Sequence, residues 1–329
     1  MRHANISIFI PHLGCPFNCI FCDQYKITGS DSAVTPDDVY STLEKAAKSG
    51  LDHKNTQIAF FGGSFTAIDR ELMIRYLEVA YKFIKDGCFD SIRISTRPDC
   101  INEKILDILK KYGVKTVELG VQSLDDNVLL LAKRGHTAKN SLDAVRLIQD
   151  AGLEPGMQMM CGLPGDTREK DIETAKKIIE TGCRQVRIYP VVVIDGTYLA
   201  TMYKRGEYTP LSVDEAVDTC AILCDTFEKA GVTVLKCGLH SDSGSIAGPF
   251  HPAFGELVRS KIFANQITSK FKRGDVIEIH CSNRFISIAK GNKGRNQALF
   301  EEFGIRASFI VDKTLESGYT IDRVKIKGM

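Results

Sequence analysis

Nowhere in its 329 residues does the sequence hold the roughly 20 uninterrupted apolar residues that a membrane helix requires. The opening MRHANISIFIPHLG has an apolar run too short, and too soon followed by polar residues, for a secretory leader. The chain is therefore expected to be cytoplasmic and without a membrane partner. An excess of either charge is also missing: 43 Lys and Arg face 41 Asp and Glu. With 43% hydrophobic and 26% charged residues, disorder and coiled coil are excluded as global readings. A disulfide framework of the small secreted kind is absent too, because the eleven cysteines are odd in number and scattered among helical patterns. Close-spaced cysteines in such a chain point to metal or catalysis.

What is present is an alternation of short β-rich runs and amphipathic segments. Strands are expected at Ile6–Ile10, Gln57–Phe61, Ser91–Ser95, Thr116–Leu119, Pro155–Cys161, Gln185–Val191 and Thr233–Lys236. Helices are expected at Thr35–Ser49, Arg70–Lys85, Asn102–Tyr112, Asn140–Ala151, Arg168–Thr181 and Ser212–Ala230. Strand, helix, strand in this order argues for parallel pairing and an α/β sheet or barrel. Near His240 the text turns to SDSGSIAGPFHPAFG, which reads as a loop or a lid over the barrel mouth. Two domains are expected, 1–239 and 240–329. The second holds a helix at Glu256–Phe263, apolar runs at 275–280 and 284–289, a helix around Asn296–Phe303, and strands near Ala307–Val311 and Thr320–Ile326. From His251 onward 14 Lys and Arg stand against 8 Asp and Glu, so the basic charge lies in this region.

Cys15, Cys19 and Cys22 form C-x3-C-x2-C directly after the first strand. Zinc accepts thiolates, but a structural zinc site wants four ligands and no fourth Cys or His stands nearby at a suitable spacing. A 4Fe-4S cluster held by three cysteines keeps one iron open to another ligand. S-adenosylmethionine needs such a vacancy, since its amino and carboxylate groups chelate the open iron.

GCPFNCIFC, with Phe21 before the last cysteine, resembles the radical S-adenosylmethionine (radical SAM) superfamily, and the resemblance runs from about Met1 to Lys236. It implies a partial (β/α)6 barrel. FFGGSFT, residues 60–66, is similar to the superfamily's glycine-rich turn, which binds the cofactor's amino group; Gly62, Gly63, Ser64 and Phe65 are its central residues. RISTRPD, ELGVQSLDD, RGHT and GLPGDT resemble the branch shared by the Elongator catalytic subunit and oxygen-independent coproporphyrinogen dehydrogenases. RIYPVVVIDGTYLATMYKRGEYTPLSVDEAV is closest to the Elongator type. By position in that pattern Ser95 and Gln122 face the methionine and ribose, Arg134 pairs with the methionine carboxylate, Gln158 lies near the ribose, and Phe21 and Leu163 pack near the adenine. Two departures stand out. Coproporphyrinogen enzymes usually carry an acidic residue where Ser95 stands, and the segment after the barrel is too short for the Elongator type's acetyltransferase domain.

The remaining cysteines and histidines have plainer readings. Cys220 and Cys224 share a helix face and read as small buried hydrophobes, and Cys88, Cys100, Cys183, Cys237 and Cys281 read as core. Cys161 stays open as a functional candidate, because it ends a strand just before GLPGDT. His12 and His136 flank the cofactor motifs. Glu118 and Tyr189 are expected to face into the barrel. KFKRGD and RFISIAKGNKGR either track a phosphate backbone or are a solvated face.

The resemblance implies an enzyme that cleaves S-adenosylmethionine to methionine and a 5′-deoxyadenosyl radical, served by a flavodoxin- or ferredoxin-type reductant. The substrate is an RNA nucleoside, with tRNA as a partner, or a small tetrapyrrole-like molecule. Two other classes stay open: an iron-sulfur electron-transfer protein without turnover, and a zinc-stabilised RNA-binding adaptor.

Overall fold

A computed structural model describes residues 4–10, 14–23, 26, 34–239 and 244–323. His12 and His240 lie outside them. Seven parallel strands make the main sheet: β1 (Ala4–Ile10), β2 (Thr56–Gly62), β3 (Ser91–Thr96), β4 (Val114–Gln122), β5 (Glu154–Cys161), β6 (Gln185–Pro190) and, beyond a two-residue β7 (Val193–Ile194), β8 (Thr233–Cys237). Their spatial order follows the chain from β1 to β6 and ends on β8. The edges β1 and β8 do not pair with each other, so this is the expected partial barrel.

The crossovers are helices whose apolar stripes face the sheet. They are α1 (Pro36–Ala47), α2 (Arg70–Lys85), α3 (Glu103–Lys111), α4 (Asp126–Leu131), α5 (Ala138–Asp150), α6 (Arg168–Glu180), α7 (Tyr198–Lys204) and α8 (Val213–Lys229). Local chemistry sets where they begin. Thr35 and Asp38 cap α1 reciprocally with Pro36 in its first turn, and Ser212 and Glu215 do the same for α8. The strands alternate. Ile92, Ile94, Val117, Leu119, Met157 and Ile188 point to the helices and are fully buried, which leaves Arg93, Ser95, Glu118, Gln158 and Arg187 on the concave side. α4 and α7, too short to produce a periodic signal, were not expected.

Within the segment that follows the main sheet, β9 (Ser245–Ala247) pairs with β7. α9 (Phe254–Lys270) is twice as long as expected and serves two cores. Its Phe254 and Val258 join the barrel's hydrophobic cluster, whereas Phe263, Ala264 and Ile267 join a second cluster with Ile277, Ile279 and Phe300. That second core lies against a three-stranded sheet in which β10 (Val276–Cys281) runs parallel to β11 (Arg306–Val311) and antiparallel to β12 (Tyr319–Arg323). The run at 284–289 is the short helix α10 (Ile286–Lys290), and α11 (Arg295–Glu302) follows. A two-pronged pair from Arg295 to Asp214, at 2.7 and 2.8 Å, ties this region to α8. Among the described residues no helix is long and apolar enough to cross a membrane.

Candidate cofactor site

The cysteine loop leaves β1 and is pinned by backbone hydrogen bonds on both flanks. The Ile20 amide donates to the Ala132 carbonyl at 3.3 Å, and the Leu199 amide donates to the Ile20 carbonyl at 2.8 Å. Short α4 and α7 thus act as clamps. A turn bond from the Cys22 amide to the Cys19 carbonyl brings the last two thiols round, and all three cysteines are half-buried.

Arg134 reaches this loop from the far end of α4. Its Nη1 donates to Cys19 Sγ at 3.1 Å and its Nη2 to the Gly120 carbonyl at the end of β4 at 2.6 Å. Behind it Arg97, 3% exposed, donates from Nη2 to the Arg134 carbonyl at 2.6 Å and grips Asp99 at 2.9 and 3.1 Å. The Arg97 guanidinium also lies 4.9 Å from the centre of the Phe17 ring. Gly135 closes the other side of that ring. It has φ +74°, and a Cβ there would stand 2.6 Å from the Phe17 ring. RGHT thus holds both a sulfur and an aromatic ring of the cysteine loop.

The glycine turn follows β2. Gly62 has φ +103° and runs against the backbone of Ile10, where a Cβ would stand 3.1 Å from the Ile10 carbonyl oxygen, and the Gly63 amide donates to that carbonyl at 2.7 Å. Ser64 and Phe65 face inward. Ser64 Oγ accepts from the Arg97 amide at 3.2 Å and bonds Thr96 at 3.1 Å, and Phe65 stacks on Phe60 at 4.8 Å. The side chains of Ser64 and Phe65 are thus engaged within the protein. Gln122 ends β4 in the left-handed region at φ +68°, which costs a non-glycine residue about 1 kcal/mol or more. Its Oε1, Arg134 Nε, Arg97 Nη1 and His136 Nδ1 are buried side-chain atoms without a hydrogen-bond partner among the described residues. Four such atoms in one neighbourhood are what a site built for a polar ligand leaves when the ligand is absent.

Deeper in the concave face, Gln158 donates from Nε2 to Ser95 Oγ at 3.5 Å and to Glu118 Oε2 at 3.1 Å. Glu118, 1% exposed, accepts from Arg93 at 2.5 Å and from Arg187 at 3.0 and 3.2 Å. Burial would raise this carboxyl's pKa, but Arg187 and Arg93 outweigh it and hold it below the usual range. Arg187 in turn lies 5.1 Å from the centre of the Phe61 ring. Phe21 and Leu163 meet in one apolar cluster with Ile20, Val128 and Tyr208. His136 is buried, donating from Nε2 to the Val121 carbonyl at 3.3 Å, and burial with Arg134 and Arg97 lowers its pKa to about 4.

The loop thiols fit an iron-sulfur cluster by their chemistry. Burial, and then the crowding of Cys19 and Cys15, pushes the Cys22 thiol up to about 12, and burial raises Cys15 as well. Three thiols held together against their own electrostatics await a strong positive centre, and bound metal inverts that balance. Among the described residues no three His, Cys, Asp or Glu side chains surround a point as for a single ion. A cube of four irons makes no such demand, because each thiolate takes a different iron.

The sequence motifs therefore come together: the cysteines with Arg134, Ser95 with Gln158, and Phe21 with Leu163. Arg97 was missed as a site residue although RISTRPD contains it, because its partners Phe17 and Arg134 are remote in sequence. A model of the radical SAM superfamily matches residues 9–178, and one of the radical SAM C-terminal domain matches residues 183–263. The tRNA uridine(34) acetyltransferase of Methanocaldococcus jannaschii is 34% identical over 197 residues, 54% of this chain and 36% of that protein. An uncharacterized protein of the same organism is 30% identical over 243 residues, 71% of this chain and 70% of that one. Among solved structures, the archaeal Methanocaldococcus infernus Elp3 with an N-terminal deletion superposes with a TM-score of 0.64 and 25% identity, over 80% of this chain and 63% of that one. The match thus spans little more than a third of the length of the acetyltransferase. Since that first model spans more than half of the chain and the sheet is a partial barrel, the chain belongs to the radical SAM superfamily, as an enzyme whose cofactors are a 4Fe-4S cluster and S-adenosylmethionine.

Proposed function

We propose that the enzyme generates a substrate radical by removing a hydrogen atom from an RNA nucleoside, with tRNA as the class of RNA. The observation that carries this reading is the 34% identity to a tRNA uridine(34) acetyltransferase over 54% of this chain. The bound cofactors supply the electron transfer and the radical chemistry. The chain's own residues hold and orient. Cys15, Cys19 and Cys22 ligate the cluster, and the backbone of Gly62 and Gly63 receives the amino group of S-adenosylmethionine. Arg134 offers to the carboxylate its Nε, which has no partner among the described residues, while its other nitrogens brace Cys19 and β4. Gln122, Ser95 and Gln158 meet the sugar, and Phe21 with Leu163 borders the adenine. Phe9 and Phe61, with ring centres 6.3 Å apart, offer an apolar wall at the open edge of the barrel for a planar base. A flavodoxin- or ferredoxin-type protein supplies the electron.

Anaerobic assays of 5′-deoxyadenosine formation, with and without bulk tRNA, test the substrate class. Stimulation by tRNA supports the reading. Stimulation by a tetrapyrrole and none by tRNA overturns it.

A further inference from the structure

From Cys281 to Phe300 the chain carries Arg284, Lys290, Lys293 and Arg295 and no Asp or Glu. The segment includes the two short helices α10 and α11, and the turn between them is Gly291-Asn292-Lys293-Gly294. Nothing in the cofactor site makes use of it.

The turn has a fixed shape. Gly291 has φ +75°, and a Cβ there would stand 2.9 Å from the Asn296 amide nitrogen. Lys293 has φ +54°, in the left-handed region that lysine seldom adopts, and Gly294 follows at +77°. Asn296 anchors the turn: buried, it donates from Nδ2 to the carbonyls of Ile288 and Ala289 at 3.2 and 3.1 Å and to Ser260 Oγ on α9 at 2.9 Å. Asn292 and Lys293 therefore stand exposed on a braced loop. Arg295 is engaged by Asp214. Arg284, Lys290 and Lys293 are exposed and have no ion pair among the described residues.

The surrounding topology narrows what such a loop can hold. Between the parallel neighbours β10 and β11 the chain runs helix, Gly-x-x-Gly, helix, and both helices pack with α9 on one face of the three-stranded sheet. A Gly-x-x-Gly turn is the device by which KH modules clamp the backbone of four nucleotides in a single strand. Glycine lets phosphates approach the chain closely, and the unpaired bases then need apolar surface beside the turn. Such surface is present. β11 is an edge strand, Val311 on its helix side by alternation with Phe309 is 43% exposed, and Ile286 of α10 is half-buried.

We propose that the Gly291–Gly294 turn, with Arg284, Lys290 and Lys293, binds the phosphate backbone of single-stranded RNA. The proposal rests on the RNA reading above for its choice of ligand, and assigns an unpaired stretch of that RNA to the C-terminal region while the nucleoside reacts at the barrel. A merely solvated basic face would behave differently: it would favour a duplex, whose phosphates are denser, over a single strand.

Fluorescence anisotropy of a short labelled RNA with the full-length protein tests the site. The single strand is expected to bind more tightly than its blunt duplex. Asn292→Asp combined with Lys293→Asp sets two carboxylates against the phosphates and is expected to weaken single-strand binding roughly tenfold or more. Both positions are exposed and Asp accepts the left-handed region, so the fold persists, as an unchanged urea midpoint and unchanged cleavage of S-adenosylmethionine without RNA would verify. Lys293→Ala, which adds no charge, is expected to weaken binding less, by about threefold. Equal affinity of the double variant and the unaltered protein for the single strand, or a duplex bound as tightly as the single strand, overturns the proposal. The substrate reading is judged separately, by stimulation of 5′-deoxyadenosine formation with tRNA, where the double variant should need more tRNA to reach the same maximal rate. No stimulation by tRNA, with a single strand still bound through the turn, removes the substrate reading and keeps the site; stimulation of both proteins at the same tRNA concentrations keeps the substrate reading and removes the site.

Discussion

Arg134 links the cysteine loop to the end of β4 in the candidate site, because one guanidinium donates to Cys19 and to the Gly120 carbonyl while its Nε has no hydrogen-bond partner among the described residues. Arg134→Ala is expected to weaken S-adenosylmethionine binding by about 1.5 to 3 kcal/mol, the range of a charge-assisted hydrogen bond. Calorimetry on the reconstituted protein checks it, and unchanged affinity would make Arg134 a brace only. Next to it, His136 has a depressed pKa near 4, so folding favours its neutral form. The unfolded chain binds the extra proton between pH 6.5 and about 4. His136 therefore contributes stability that is fully present above pH 6.5 and is lost as pH falls through that window. Urea midpoints at pH 7 and pH 5 should differ less for His136→Gln than for the unaltered protein. Much at this scale was legible: the three cysteines, the glycine turn, and RGHT as a motif with Arg134 in it. What the string could not carry was the contact from Arg134 to Cys19, 115 positions apart, or the left-handed backbone at Gln122, a conformation that composition assigns to glycine by default.

Among the elements, the strands were legible because their apolar residues alternate with polar ones, and that same alternation places the Arg93–Glu118–Arg187 group on the concave face. The pairing itself depends on register: Glu118 stands opposite Gly156 on β5, and Gly156 leaves room for its side chain. Glu118→Ala would strand two buried guanidinium groups. A loss of about 3 to 5 kcal/mol is expected, read from denaturant midpoints, with Glu118→Gln milder. A loss below 1 kcal/mol would mean that water already reaches the pair. α9 was read short, as Glu256–Phe263, because its apolar positions serve first one core and then another, which breaks the single stripe by which an amphipathic helix is recognised.

For the molecule as a whole, α9 decides how the basic C-terminal region can be probed. Cutting the chain at His251 would remove Phe254 and Val258 from the barrel's own core, so such a truncation tests stability and RNA binding together. Surface substitutions separate them. Lys272, Arg273, Lys290 and Lys293 are exposed. If this region contacts RNA, affinity for labelled tRNA falls steeply as salt rises, and replacing these four by Ala reduces both the affinity and the salt slope. Filter binding at two salt concentrations measures it, and an unchanged slope would assign the RNA contact elsewhere. The fold class was legible at this scale from the order of strands and helices alone, whereas the sharing of α9 was not, since nothing in a sequence marks which of two cores a helical residue joins.

The central claim is that this chain binds a 4Fe-4S cluster on Cys15, Cys19 and Cys22 and uses it to cleave S-adenosylmethionine. The direct measurement is 5′-deoxyadenosine formed by the anaerobically reconstituted and reduced protein, run beside its Cys15→Ala, Cys19→Ala and Cys22→Ala variants. The account predicts product from the unaltered protein and none from the three variants, which should also lose the cluster's absorbance. A reduced, cluster-loaded protein that leaves S-adenosylmethionine intact, or a triple variant that keeps its cluster, would contradict it.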